Sequence, residues 1–351
     1  MGYEKQLQKI DQILQKTASK NTVTDTQVRI YSAKLGIDYR FASKGTRPYH
    51  GASIGKVFVV VLLLKMLNEQ RLSLDQPIHE LLDAKDLQEL FVVNSKDHSN
   101  EVTIRQLASH TSGINDYFES KSSSESSFID QIILEPDHFW TPDELLDFTR
   151  KYQKAVARPD EKFFYADTGY ILLGKMLEKV CGISYDELLS KYIFKPLGMK
   201  DSYLYGYSGS TTAKSMAPLF VSGVDVSKMQ SLSCDWSGGG VVTTTDDLLL
   251  FQTALHQGKL GNLLSEQAGF PNKFRSGMHY GFGMMELHFN EFFFLLRGMP
   301  NMKGHIGITS THMFYDDVND VHYIMNFGSD KRLVESFRTL IKIVQILKMK
   351  R

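Results

Sequence analysis

The sequence predicts an α/β (α+β) protein, and three observations carry that reading. Strand-like segments sit near both ends of the chain, helical periodicity fills its middle, and an amphipathic helix stands at each terminus. Taken in order, Tyr3 to Lys16 reads as a helix, with Leu7, Ile10, Ile13 and Leu14 on one face. Gln27 to Ser32 and Ile37 to Ser43 read as the strands of a hairpin. From Ser53 to about Gly258 the chain is mostly helical, most clearly over Ser53 to Gln70, Thr103 to Ser109, Pro142 to Thr149, Thr168 to Cys181, Ser184 to Ile193 and Asp246 to Gln257. Strand signals return at Gly281 to Leu287, Phe292 to Arg297, Gly307 to Tyr315 and Val321 to Phe327, and a helix over Arg332 to Leu347 closes the chain. This order implies one α/β lobe built from residues 1–52 plus 259–351. A mostly helical lobe, residues 53–258, is inserted in it, with the active site between the two. No internal repeat is visible, and the serine-rich patch Lys121 to Ser127 reads as a flexible loop.

Composition narrows the function. A chain of 351 residues can bury a large core. Its 40 basic and 40 acidic side chains cancel, so no global basic field points to nucleic acid. The longest apolar run, Val57 to Leu64, is far below the roughly 20 residues a membrane span needs. The charged N-terminal helix is not a secretory signal, which places the sequence as given in the cytoplasm, or outside it where a signal has been removed. Cys181 and Cys234 allow at most one disulfide, and reduced buried thiols are expected instead.

Ser53 and Lys56 are one helical turn apart, so a hydroxyl and an amine project from one face at the start of the apolar helix. Serine attacks well only when a base takes its proton, and a lysine can serve if burial or a helix N-terminus destabilises its ammonium. Spacing alone also fits a capping serine beside a solvated lysine. Two further segments favour chemistry. Phe163-Phe164-Tyr165-Ala166-Asp167-Thr168-Gly169 puts a phenol at a helix entrance, and Lys303-Gly304-His305-Ile306-Gly307-Ile308-Thr309 puts a basic residue beside a glycine on a strand. Nucleophile with base, phenol, and strand with glycine are the parts of an acyl-transfer site.

In this order the motifs resemble the serine hydrolases related to class C β-lactamases and D-alanyl-D-alanine carboxypeptidases. Leu107 to Ile114, Pro196 to Met199 and Ser237 to Leu248 add to the resemblance, which runs from about Ser32 to about Gly328. It implies a β-lactamase/transpeptidase-like fold, with an antiparallel sheet flanked by the terminal helices and an inserted all-helical lobe. It also implies that Ser53 is the nucleophile, that Lys56 holds or receives its proton, and that Tyr165 shuttles a proton to the leaving group. A phenol titrates near ~10, and two neighbouring ammonium groups would favour phenolate. Which of Lys56 and Tyr165 is the base stays open. The oxyanion is expected to meet the backbone N–H groups of Ser53 and Ile308.

Two departures from the family pattern bear on substrate. Asp167 stands where the family often has asparagine; an ionised carboxylate only accepts hydrogen bonds, so it could pair with Lys56 or meet a substrate donor. His305-Ile306-Gly307 stands where β-lactamases typically carry Lys-Thr-Gly. Ile306 has no donor for a substrate carboxylate, a loss of about 1.5–3 kcal/mol, for which Thr309, Ser310 or Thr311 could compensate. Gly307 permits close approach of another chain or of substrate.

His110 reads as structural, while Asp116 and Tyr117 are weaker candidates for the cleft. His279, His312 and His322 lack metal-ligand spacing, so neither a metal nor another cofactor is expected. Gly238 to Gly240 read as a tight turn entering a helix. Three functions remain: hydrolysis of a small ester or amide, D-alanyl-D-alanine or β-lactam hydrolysis, and penicillin binding without turnover. A small-molecule ester, amide or peptide is the expected partner in each.

Overall fold

The computed structural model describes residues 2–124, 126–208, 215–261 and 269–348, so Glu125 of the serine-rich patch lies outside the described residues. The eight strands of the main sheet are β1 (Gln27–Ser32), β2 (Ile37–Ala42), β3 (Asn272–Arg275), β4 (Met278–Tyr280), β5 (Met285–Leu287), β6 (Met302–Gly307), β7 (Thr311–Asp316) and β8 (Val321–Asn326). Their spatial order is β3-β4-β5-β6-β7-β8-β1-β2. Each pairs antiparallel with its neighbour, and β1 joins the C-terminal strands through β8, with Gln27 opposite Asn326 and Tyr31 opposite His322. All of β8 is buried, as expected of a strand covered on both faces.

Helices α1 (Glu4–Ser19) and α2 (Gly55–Asn68) illustrate two ways to bury a helix. α1 buries a stripe, Ile10 and Leu14, against the sheet in one cluster with Leu340, Ile343 and Val344. α2 is apolar all round and buries 11 of its 14 residues, which makes it an interior element. Further along lie α3 (Ile104–Ala108), α4 (Pro142–Tyr152), α5 (Asp167–Cys181), α6 (Trp236–Gly239), α7 (Thr245–His256), α8 (Phe289–Phe292) and α9 (Leu333–Lys348). Thr103 and Thr141 close capping boxes with Gln106 and Glu144, fixing the starts of α3 and α4. α2 and α5 share the larger core with residues from α4 and α7. Ser127 of the serine-rich loop caps the helix Phe128–Leu134. Among the described residues no helix is long and apolar enough to cross a membrane.

The sheet departs from the sequence reading at three of the expected strands, and β3 and β4 lie outside all of them. Gly307 to Tyr315 is not one strand: Ser310, at φ +65°, donates its N–H to Gly307 O and turns β6 into β7. The β-branched run through Ile308, Thr309 and Thr311 conceals that hairpin because it lacks the usual Asn-Gly signal. Phe292 to Arg297 forms the end of α8 and a 3₁₀ turn, Phe294–Leu296, instead of a strand. Its aromatics have strand propensity, but Phe293, Phe294 and Leu295 are exposed and gain no cross-strand packing. Gly281 to Met284 is a turn closed by Gly281 N–H on Met284 O, so β5 starts only at Met285.

The two ends of the chain are locked together by Arg332, which precedes α9. Its buried guanidinium donates to Thr24 Oγ1 at 2.8 Å, Thr26 Oγ1 at 3.0 Å and Phe327 O at 3.2 Å. Removing it strands acceptors that water cannot reach, so Arg332→Leu is expected to cost about 2–3 kcal/mol in urea unfolding. A loss below about 0.5 kcal/mol, the range of ordinary surface substitutions, would contradict this role.

Candidate active site

Ser53 is placed by a strained turn. Ala52, just before it, has φ +48°, a conformation that a residue bearing a side chain adopts only when its surroundings hold it there. Those surroundings are close. Gly51 donates its N–H to Val241 O at 2.8 Å and accepts at its carbonyl from Thr311 Oγ1 at 3.0 Å. A Cβ on Gly307 would lie 2.8 Å from Ala52 Cβ and 2.1 Å from Thr311 Oγ1, so β6 reaches the nucleophile turn only as glycine. The close approach expected of Gly307 is therefore an approach of the chain itself. The turn Ala52–Ile54 then runs straight into α2, leaving the Ser53 hydroxyl half-buried.

Lys56 follows one turn later and is fully buried. Its Nζ donates to Ser53 Oγ at 3.2 Å, to Gly238 O at 2.8 Å and to Asp167 Oδ1 in a short contact. Three donors meet three acceptors, which satisfies an ammonium. The Tyr165 and Tyr170 rings flank it, with centroids 5.0 and 5.3 Å from Nζ. Asp167 takes the first of its two expected roles, pairing with Lys56. As the first residue of α5, it also sits at the positive end of the helix dipole. The Gly238 carbonyl was not foreseen. The glycine run forms α6 and a close packing surface, in which a Cβ on Gly55 would meet Gly239 Cα at 2.8 Å.

Carboxylates accumulate behind the lysine. Asp116 Oδ1 accepts from the Asp167 N–H at 2.8 Å, and burial first, then the Asp167 charge, pushes Asp116 up to about 7. Burial and Asp167 likewise push Asp235 up to about 7, while Lys56 opposes the shift. Tyr165 is held well above the usual phenol range by burial and then by Asp167, against a lowering hydrogen bond from Ser53. This corrects the expected drift toward phenolate. One ammonium, already paired with a carboxylate, does not outweigh desolvation.

Strand β6 divides its side chains by alternation. Ile306 faces the cavity beside Ser53, together with Gly307, Ile308 and Tyr165. His305 does not: it is fully buried, its Nδ1 lies 2.8 Å from Ile306 O, and burial followed by Lys56 pushes it down to about 3. His305, a candidate substrate-binding residue from its place in the strand motif, is thus enclosed and neutral and offers a substrate carboxylate no charge. Thr309, Ser310 and Thr311 do not compensate. All three are buried, and the last two direct their hydroxyls to Ser329 O and Gly51 O. Among the described residues no backbone hydrogen bond engages the Ile308 N–H, so it is available to an oxyanion together with the Ser53 N–H at the helix entrance. The cavity holds about 60 Å³, and its remaining walls are Phe274, Met278, Met285 and Leu333, with Glu119 and Arg275 as its charged members. Sequence reasoning missed that pair because nothing in its local pattern marks a cleft.

The weaker candidates sort plainly. His110 is buried, accepts from the Ala166 N–H at 3.1 Å and packs its ring 4.2 Å from that of Tyr165, so it supports the tyrosine. Asp116 and Tyr117 are buried behind the site, the Tyr117 hydroxyl donating to Cys234 O. Cys181 and Cys234 are free, though Cys181 is only half-buried. His312 and His322 contact Ser336 and Gln252 separately. His279 differs from the expectation of no metal-binding group: it lies beside His288 and Glu291, residues its spacing did not connect.

The family model described as Beta-lactamase matches residues 40–344. The chain belongs to the β-lactamase family. Within it, Penicillin-binding protein 4* of Bacillus subtilis (strain 168) is 29% identical over 202 residues, which are 52% of this chain and 42% of that protein. The chain thus matches less than half the length of that relative. Among solved structures, the D-amino acid amidase from Ochrobactrum anthropi SV3 complexed with L-phenylalanine amide has a TM-score of 0.78 at 21% identity, covering 97% of this chain and 98% of that one. EstCE1, described as a hydrolase with promiscuous acyltransferase activity, has a TM-score of 0.77 at 17% identity, with the same two coverages. At such identities the likeness shows the β-lactamase-family fold.

The raised carboxylates have a measurable consequence. Between about pH 4 and pH 7 the folded protein keeps protons on Asp116 and Asp235 that the unfolded chain has released. Both groups therefore make stability fall as pH rises through that window. Buried histidines such as His305, lowered by folding, act in the opposite sense, so the difference between parent and variant is the quantity to measure. Asp235→Asn should lose stability less steeply with rising pH than the parent in urea melts across this range. Parallel curves would show that Asp235 titrates normally.

Proposed function

We propose that this chain is a serine acyl-hydrolase that forms an acyl-enzyme on Ser53 and hydrolyses a small ester or amide. The observation that carries the reading is the buried Lys56 Nζ, 3.2 Å from Ser53 Oγ and paired with Asp167. In this reading Ser53 gives its proton to Lys56 as Lys56 passes one to Asp167, and Ser53 Oγ bonds to the carbonyl carbon. The carbonyl oxygen becomes an anion facing the Ser53 and Ile308 N–H groups, an interaction that often supplies about 3–4 kcal/mol. Tyr165, kept as a neutral phenol, donates its proton to the departing alcohol or amine and regains one from Asp167 through Lys56. Water then adds to the acyl carbon, the Ser53 Oγ–acyl bond breaks, a proton from the water restores the Ser53 hydroxyl, and the carboxylic acid leaves. Apolar walls of Ile306, Met278, Met285 and Phe274 favour a compact uncharged acyl group.

A second reading, hydrolysis of a D-alanyl-D-alanine peptide or a β-lactam, is supported by Arg275, which could meet a carboxylate at the cavity. Incubation with a fluorophosphonate and then with penicillin, followed by intact mass, separates the readings when paired with turnover of a nitrophenyl ester. Ester turnover supports the first and penicillin turnover the second. Adducts without turnover point to a binding protein.

Ser53→Ala should abolish both the adduct and ester turnover while the fold persists, since the Lys56 ammonium loses one of its three acceptors, worth about 1.5–3 kcal/mol, and keeps Asp167 and the Gly238 carbonyl. Parent-level hydrolysis by that variant would place the nucleophile elsewhere.

Ile306→Thr tests the preference. Adding a hydroxyl on the cavity face should speed carboxylate-bearing substrates selectively, by about tenfold for each 1.4 kcal/mol gained. Equal acceleration of neutral esters, or rapid penicillin hydrolysis by the parent, would remove Ile306 as the determinant.

A further inference from the structure

Outside the catalytic site, the β4–β5 hairpin and α8 bring together four side chains of ligand type. In β4 and β5 the residues Met278, Tyr280, Met285 and Leu287 turn inward, so alternation sends His279 and its cross-strand partner Glu286 to the opposite face. His288 follows β5 directly, and Glu291 is carried by α8. Glu291 Oε1 lies 2.8 Å from His279 Nε2 and 3.3 Å from His288 Nδ1. The two imidazoles stack with centroids 4.3 Å apart.

We propose that His279, His288 and Glu291 bind one divalent transition metal ion of the zinc type, with solvent completing its shell. The three donor atoms all lie within 4.8 Å of one another. Tetrahedral ligands at ~2.0 Å from zinc stand about 3.3 Å apart, so small side-chain rotations close the site. Two imidazole nitrogens and one carboxylate oxygen form a donor set that suits zinc better than magnesium or calcium. The surroundings match a ligating set as well. His288 Nε2 is 2.5 Å from Glu286 Oε2, a carboxylate on the far nitrogen that fixes the tautomer leaving Nδ1 for the metal. Glu291 Oε2 is occupied by Lys273 Nζ at 3.0 Å and the Gly277 N–H at 3.3 Å, which turns Oε1 toward the histidines. The ligating side chains are 18%, 25% and 27% exposed, enough to admit an ion and a water ligand.

The same contacts could be made by protons, with charged imidazoles bridging Glu286 and Glu291. Metal and protons compete for these nitrogens, so the two accounts diverge on adding metal. A bound ion would brace the hairpin whose inner face lines the catalytic cavity through Met278 and Met285. Its effect is on the wall and not on the chemistry at Ser53.

The test is calorimetric titration of the whole protein with zinc chloride near neutral pH, with thermal unfolding in zinc and in EDTA. One equivalent should bind and raise the melting temperature. His288→Ala and His279→Ala should each abolish that equivalent, while Glu286→Gln, altering only a positioning residue, should weaken it by about ten- to a hundredfold. Fluorophosphonate labelling of Ser53 in each variant checks folding independently. Should an alanine variant fail to fold, cobalt(II) added to the parent decides, since a four-coordinate site gives intense visible absorption. No stoichiometric zinc binding by the parent, binding that survives both alanine variants, or cobalt without those bands would each overturn the proposal.

Discussion

The buried ammonium of Lys56 is the constraint around which the rest of the site is arranged. A lysine with no exposure stays charged only if every proton finds an acceptor. Here the acceptors come from three separated parts of the chain: the nucleophile turn, the start of α5 and the carbonyl of Gly238 in α6. Bringing those three together requires backbones to pack nearly in contact. Gly55 against Gly239 and Gly307 against Ala52 are the points where only glycine permits it. The positive φ of Ala52 belongs to the same account, as strain at the nucleophile held by packing on either side.

That arrangement gathers negative charge. Asp116 and Asp167 are buried and Asp235 half-buried near one ammonium, and only Asp167 contacts it. One cation can compensate one carboxylate; the other two carry desolvation and the repulsion of Asp167, which is why both are pushed up to about 7. The Tyr165 phenol feels the same field and stays protonated. The proton inventory of the site is thus set by carboxylates behind the lysine as much as by the lysine.

Much of this was legible in the sequence where chemistry and periodicity coincide. Val57 to Leu64 could only be an interior helix, and the position of Ser53 and Lys56 at its start fixed their common face. The order of strands and helices gave the fold because β1 must return to pair with β8. What stayed hidden depends on tertiary contact. A main-chain carbonyl such as Gly238 O has no signature in residue types. The turn at Ser310 carries β-branched neighbours in place of turn residues. Arg275 and Glu119 lie 156 positions apart and meet only because β3 and the segment after Asp116 border one cavity.

The placement of His305 bears on the substrate more strongly than its identity does. Alternation along β6 turns it inward, and burial keeps it neutral, so the strand offers the cavity a branched aliphatic wall at Ile306 and no charge. The lysine gives no net charge either, because its partner at residue 167 is a carboxylate where an amide would have left the cation uncompensated. A neutral ion pair behind an apolar wall exerts little attraction on an anion, and the anion would lose water that Ile306 cannot replace. The compensating cation would have to be Arg275, which is exposed and therefore screened by salt. Binding of a carboxylate-bearing substrate would then weaken with ionic strength, whereas a neutral ester held by apolar contacts would be indifferent to it.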